Sequence, residues 1–251
     1  MKDSKILLIG GNGNLGLEIK KSKIFGSIYA PSKKNLNLLN RKKIGKILKN
    51  EKFSLIINCA SLARMKACER DANKAIQNNI LGTYNLVKEI LNYNKNTRKK
   101  IKIVHMSSDA VYPSLHGNYS EESIVGPYNV YGWTKLASEF LIKMIDDHII
   151  IRTRFYKKNQ INYKYSANDI FTSQVEISNM PKYINYVIKE NYNGIINIGG
   201  KKRSDFSIYK KINKKLKTFK RKNLIKKLNF NIAKNATLNL KKFNKIKSKY
   251  E

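Results

Sequence analysis

Apolar positions follow two rhythms along this chain. Lys5-Ile6-Leu7-Leu8-Ile9, Ser27-Ile28-Tyr29-Ala30, Ser54-Leu55-Ile56-Ile57-Asn58-Cys59, Ile101 to Ser107 and His148 to Arg152 are continuous runs of strand length. Such runs are apolar on both parities, which predicts strands covered on both faces. Between them, apolar residues recur at helical spacing. Leu15 and Ile19 begin one helix, Tyr131 to Ile145 makes another, and Ala72 to Leu91 reads as one long helix carrying Ala75, Ile76, Ile80, Tyr84, Val87 and Leu91 on one stripe. Strands alternating with helices predict an α/β fold with a doubly wound, mostly parallel sheet. From Tyr156 the pattern loosens, with a helix at Pro181 to Lys189, a short strand at Gly194 to Ile198 and a further helix at Ser207 to Leu216.

Charge changes this picture only in part. The chain has 51 Lys and Arg against 17 Asp and Glu, a net charge of +34. That field favours phosphorylated ligands. Lysine, asparagine, isoleucine and tyrosine are all abundant, which reads as a pervasive compositional bias, and no zinc finger or RNP motif accompanies the lysines. A nucleic-acid partner is therefore disfavoured. Charge is densest in 201–251, where 19 basic residues face Asp205 and Glu251. This segment reads either as a solvated end or as a contact for an anionic partner.

Cys59 and Cys68 form no disulfide framework, and no metal-ligand spacing is present, so no metal is expected. The opening Met1-Lys2-Asp3-Ser4 leads into an apolar run too short for a signal peptide or membrane span. A cytoplasmic protein without a membrane span is the expectation.

The first strand breaks into Gly10-Gly11-Asn12-Gly13-Asn14-Leu15-Gly16, directly before a helix. Glycine lets the backbone approach a pyrophosphate, and the helix N-terminus offers unpaired amides to it. Gly10, Gly13, Asn14, Leu15 and Gly16 are the candidate cofactor-binding residues of this turn. After the second strand come Ser32, Lys33 and Lys34, with no acid between Tyr29 and Arg41. A 2'-phosphate suits a hydroxyl and a cation, so NADP (NADPH) is preferred over NAD, and Ser32 and Lys33 are its candidate contacts.

Tyr131 and Lys135 stand at i,i+4 on one helix. A neighbouring ammonium is expected to lower the phenol's pKa, and the phenol can pass its proton to a carbonyl oxygen while hydride reaches carbon. Ser108, at a strand end 23 residues earlier, would hydrogen-bond the same oxygen. A lone Tyr-x-x-x-Lys means little among 15 tyrosines; the strand-end serine makes the set specific.

Gly10-x-x-Gly13-x-x-Gly16, Asn58-Cys59-Ala60-Ser61, Asn79-x-x-Gly82-Thr83-x-Asn85-Leu86, Ser107-Ser108-Asp109-Ala110-Val111-Tyr112 and Pro127 to Lys135 together resemble the extended short-chain dehydrogenase/reductase family. The branch most similar is the dTDP-4-dehydrorhamnose reductase type. The likeness is strong to Arg154 and weaker beyond it. It implies a Rossmann core over 1–155 and a small substrate-binding region over 156–251, with strand and helix contributions back to the core. It also implies Ser108, Tyr131 and Lys135 as catalytic residues, with Tyr131 and Lys135 touching the cofactor too. Ala60 and Ser61 would line the cofactor cleft, Asn79 would brace the sheet, and Asp109 and Arg152 would meet substrate.

The implied activity is NADPH-dependent reduction of a nucleotide-activated 4-keto-6-deoxy sugar. An NAD-dependent nucleotide-sugar epimerase and a non-catalytic nucleotide-binding subunit are the alternatives. The resemblance leaves room for a homodimer. Dehydratases of this family carry an acid pair after the catalytic hydroxyl; here Ala110 follows Asp109, which disfavours dehydration. The reductase type usually has an aromatic at that position, and its members are longer, which implies trimmed substrate loops and an altered substrate.

Overall fold

The computed structural model describes residues 5–251, so Met1 to Ser4, on which the expectation of no signal peptide partly rests, lie outside the described residues. Six strands form one parallel sheet in the spatial order Gly194–Ile198, His148–Thr153, Lys102–Met106, Leu55–Asn58, Ile6–Ile9, Ile28–Tyr29. The alternation explains the two layers. Ile6 and Leu8 join Ile57, Val104, Ile149 and Ile151 in one core, while Leu7 and Ile9 join Ile56, Ile103 and Ile150 in the other. Helices must cover both faces, since an uncovered face would leave that apolar area in water.

Asn14–Ser22 and Met180–Lys189 pack together on the first face. Arg41–Glu51, Gly82–Lys95 and Val130–Ile142 cover the second. The chain leaves Ile6–Ile9 toward Ile28–Tyr29 on one side and later places Leu55–Asn58 on the other. This reversal opens a crevice at the carboxyl ends of the strands, where ligands bind in such sheets.

Three departures from the sequence pattern stand out. Ala72 to Leu91 is not one α-helix: Ala72–Ala75 passes into a π-helical turn, Ile76–Leu81, before Gly82–Lys95 resumes. That turn places Asn79 inside, 2% exposed, with its hydrogen-bonding capacity filled by Leu62, Ser61 and Thr134. Burying an amide so completely is tolerable only because every donor and acceptor is paired. The helix expected at Ser207 to Leu216 runs instead over Asp205–Lys210, capped at its start by the Ser204 hydroxyl. Arg41–Glu51 is a helix whose polar composition hides it; only Ile44 and Leu48 are buried.

Beyond Tyr156 the chain divides. Met180–Lys189, Gly194–Ile198 and Lys241–Lys247 pack with the sheet, while Tyr165–Ala167, Phe171–Thr172, Arg203–Ser204, Lys217–Phe219 and Asn235–Ala236 form small two- and three-stranded pieces. Ala167, Ile170 and Ile232 fill a separate minor core there. Among the described residues no helix is long and apolar enough to cross a membrane.

Candidate active site

The glycine turn is shaped by close approach. Gly10 has φ +81°, and a Cβ on it would lie 2.8 Å from the backbone of Cys59 and Ala60. A Cβ on Gly16 would lie 2.4 Å from the Gly10 carbonyl oxygen, so the helix start and the turn touch directly. Gly13 differs, since a Cβ there would meet only the Gly10 oxygen, at 3.3 Å. It ends the turn as the residue before Asn14–Ser22, and no side chain caps that helix. The amides of Asn14, Leu15 and Gly16 are left to a ligand.

Two cavities meet above this turn. One, about 270 Å³, is bounded by Gly10, Gly13, Lys33, Leu36, Leu38, Ala60, Ser61 and Asn78. The other, about 350 Å³, is bounded by Gly10, Gly13, Asn14, Leu15, Gly16, Ser61, Ser108, Tyr131, Arg154 and Phe155. Gly10, Gly13, Cys59 and Ser61 border both, so they form one cleft over the strand ends. Glycine turn, free helix amides and an apolar slot suit a dinucleotide. Lys33 reaches the wall, its Nζ donating to Asn78 Oδ1 at 3.3 Å. Ser32 is not on the wall; its hydroxyl accepts the Asn35 N–H at 3.3 Å.

Ser108 and Tyr131 face the second cavity together. Ser108 follows Lys102–Met106, and its Oγ accepts the Ala110 N–H at 3.1 Å, which fixes the rotamer. Tyr131 sits in the first turn of Val130–Ile142, which begins where Asn129 Oδ1 accepts the Gly132 N–H at 2.7 Å. Burial pushes the Tyr131 phenol well above its ordinary value; the Ser108 hydroxyl draws it back, and Asp109 pushes it up again. Contrary to the simple i,i+4 expectation, the phenol moves up rather than down, because burial outweighs its neighbours; the Lys135 Nζ lies beside His105. This direction favours the neutral phenol over a phenolate.

Lys135 is 1% exposed, and its Nζ lies 3.1 Å from His105 Nε2. Burial lowers its pKa to about 8 against the pull of Glu139 and Cys59. Cys59 borders the cleft, with its thiol pushed up to about 12 by burial. Thr134, between Tyr131 and Lys135, donates to the Tyr131 carbonyl at 2.8 Å and accepts from Asn79 Nδ2 at 2.9 Å. Asn79 thereby ties the Ser61–Leu62 loop to the helix that carries both catalytic candidates.

Asp109 and Arg152 part company. Asp109 is buried behind Ser108, its Oδ1 accepting from Ser108 Oγ at 3.2 Å and its Oδ2 lying 3.1 Å from Arg154 Nε. Arg152, expected near substrate, is not on the cleft. It is 3% exposed and engaged by Glu139 and the Tyr112 hydroxyl, because its position on His148–Thr153 turns it under the helix. The guanidinium that does reach the cleft is Arg154, just past the strand end. Burial opposes its charge, but Asp109, Tyr128 and Asp205 hold the proton more firmly than usual. Asp205, half-buried in the same cluster, has its carboxyl pushed up to about 6 by desolvation, against the pull of Arg154. The only sequence signal for Arg154 was a basic residue directly after a strand. Among the described residues no cluster of three or more His, Cys, Asp or Glu side chains could hold a metal ion.

Comparison with known proteins adds to this geometry. Residues 4–176 match the RmlD substrate binding domain family. Over 154 residues the chain is 29% identical to spore coat polysaccharide biosynthesis protein SpsK of Bacillus subtilis (strain 168), covering 60% of this chain and 52% of that protein. Over 155 residues it is 27% identical to dTDP-4-dehydrorhamnose reductase of Aggregatibacter actinomycetemcomitans, covering 60% and 51%. The matched part thus spans about half the length of these curated relatives. The crystal structure of dTDP-4-dehydrorhamnose reductase from Bacillus anthracis str. Ames in complex with NADP superposes with a TM-score of 0.84 at 20% identity, over 95% of this chain and 90% of that one.

Proposed function

Because the chain belongs to the RmlD substrate binding domain family, we propose that it is an NADPH-dependent reductase of a nucleotide-activated 4-keto-6-deoxy sugar. One observation carries the reading: the half-buried Tyr131 phenol, pushed above its ordinary value, and the Ser108 hydroxyl open into the same cleft as the glycine turn. Gly10, Gly13 and the amides of Asn14 to Gly16 would hold the pyrophosphate, Ala60 and Ser61 the slot beside it, and Lys33 the 2'-phosphate. NADPH, when bound, supplies the hydride for C4. Ser108 orients the keto oxygen, and Tyr131 gives its proton to that oxygen as the C4–H bond forms. A phenol kept protonated at neutral pH is suited to this donation.

Asp109, Arg154 and Asp205 belong to the substrate side. With the small strands of 157–176 and 199–240 they would cover the sugar, while 1–155 holds the cofactor. The reading also places the protein in the cytoplasm. A homodimer belongs to it as well, supported by Trp133, Phe140 and Met144, which are 57%, 59% and 60% exposed on and just after the Tyr131 helix. NADPH oxidation screened against UDP-, dTDP-, GDP- and CDP-linked 4-keto sugars tests the proposal. Turnover with one nucleotide class is expected. Oxidised cofactor retained stoichiometrically through purification would instead identify an epimerase.

A further inference from the structure

His105 lies at the centre of a buried polar chain that the reduction step does not use. It is 0% exposed, on Lys102–Met106 beneath the Tyr131 helix. Its Nδ1 is 3.2 Å from Asn58 Nδ2, and its Nε2 is 3.1 Å from both Ser138 Oγ and Lys135 Nζ. Hydrogen-bond bookkeeping determines the tautomer. Asn58 Oδ1 accepts the Ala60 N–H at 3.1 Å, so its NH2 faces His105, and Nδ1 must be the bare, accepting nitrogen. A neutral ring then carries its proton on Nε2. Ser138 agrees, because its own proton goes to the Lys135 carbonyl at 2.7 Å and leaves a lone pair for the Nε2–H. A charged ring is excluded on the same grounds, since Nδ1–H would oppose the Asn58 amide.

Lys135 therefore meets a donor. An ammonium cannot donate to Nε2–H, whereas an uncharged amine can share that one hydrogen with Ser138 Oγ. Among the described residues, no other hydrogen-bond partner of Nζ offers an acceptor. Glu139, one turn along the same helix, is committed to Arg152 and Ser107, and the Cys59 thiol at the end of Leu55–Asn58 remains a thiol. We propose that His105 is a positioning residue which, by turning an N–H toward Lys135, makes cofactor binding take up a proton at that lysine. The acceptors an ammonium lacks in the free protein are the ribose hydroxyls of the cofactor. The inference rests on the nicotinamide reading above.

NADPH titration calorimetry at pH 7 and pH 9, each in two buffers of different ionisation enthalpy, measures the protons exchanged. Uptake approaching one proton per site is expected at pH 9, and little at pH 7. Cys59 and Tyr131 stay protonated at both values and do not contribute. His105→Gln, whose amide oxygen can accept from the ammonium, should raise the lysine's titration and cut the pH 9 uptake, while burial still holds it below its ordinary value. Lys135→Met should abolish the uptake. Binding without uptake at pH 9, uptake undiminished in His105→Gln, or uptake that persists in Lys135→Met overturns the proposal. An NMR titration of Lys135 Cε in cofactor-free protein decides independently of binding and of the variants' folding: a lysine titrating at its ordinary value overturns it. Absence of NADPH binding at both pH values would count against the cofactor reading instead.

Discussion

Arg152 and Glu139 form a two-pronged ion pair inside the protein, with Nη2 to Oε2 at 2.6 Å and Nε to Oε1 at 3.0 Å. The side chains are 3% and 1% exposed. The pair joins the His148–Thr153 strand to the helix that carries Tyr131 and Lys135. Its role is to hold that helix against the sheet, since neither group reaches the cleft.

Removing one partner strands the other charge in a dry interior. Arg152→Ala is expected to cost about 3–5 kcal/mol of folding stability. Thermal or urea unfolding checks this. NADPH affinity per folded molecule should stay near wild type, and a large loss of affinity with unchanged stability would return Arg152 to the site.

Tyr131→Phe keeps the ring and deletes the proton. Turnover should fall about 10²- to 10⁴-fold, while NADPH binding measured by fluorescence titration stays largely intact. Wild-type-like turnover would remove Tyr131 from the proton-donor role.

Two glycines of the turn should respond differently to one methyl. Gly16→Ala drives a Cβ to 2.4 Å from backbone oxygen, which cannot yield, so both folding and cofactor binding should suffer. A stability loss of about 1–3 kcal/mol is the expected scale. Gly13→Ala meets one atom at 3.3 Å and should fold normally. Its effect should be confined to weaker NADPH binding, and paired melting curves and binding isotherms separate the two cases.

Lys33 is the cation on the cleft wall. Lys33→Ala should weaken NADPH by about 1.5–3 kcal/mol, the scale of a charge-assisted hydrogen bond, and leave NADH nearly unchanged. Equal losses for both cofactors would remove the basis for preferring the phosphorylated one.

Lys135 links stability to pH. Below pH 8 the folded protein holds a buried ammonium that the unfolded chain would hydrate freely. Between about 8 and about 10.4 the unfolded chain still holds a proton that the folded one has released, so stability rises with pH through that window. Lys135→Met should therefore be more stable than wild type by about 3 kcal/mol at pH 7. The gain should shrink as pH rises from 8 to 10. A pH series of unfolding midpoints checks both sign and window.

Local regularities were legible in the residues. The runs at Ile6–Ile9, Leu55–Asn58 and Gly194–Ile198 lie where the pattern put strands, because an apolar run bounded by glycine or polar residues has few other solutions. The Arg41–Glu51 helix and the π-turn at Ile76–Leu81 were not legible. The first shows only two buried apolar residues among its lysines, and the second is one extra residue in a turn, which a helical period absorbs unnoticed.

What the amino-acid order determined by itself is the alternation of strand and helix, the glycine turn, and the spacing that puts Tyr131 and Lys135 on one helical face. These follow from short-range sterics and periodicity. Which side chains share the cleft was decided only in three dimensions. Arg152 and Arg154 are two residues apart, yet one lies under a helix and the other borders the cavity, because the point where the strand leaves the sheet depends on its neighbours. Lys135 turns to His105, 30 residues earlier in the chain. A buried ammonium or amine takes the nearest polar partner that folding brings to it, and no local pattern names that partner.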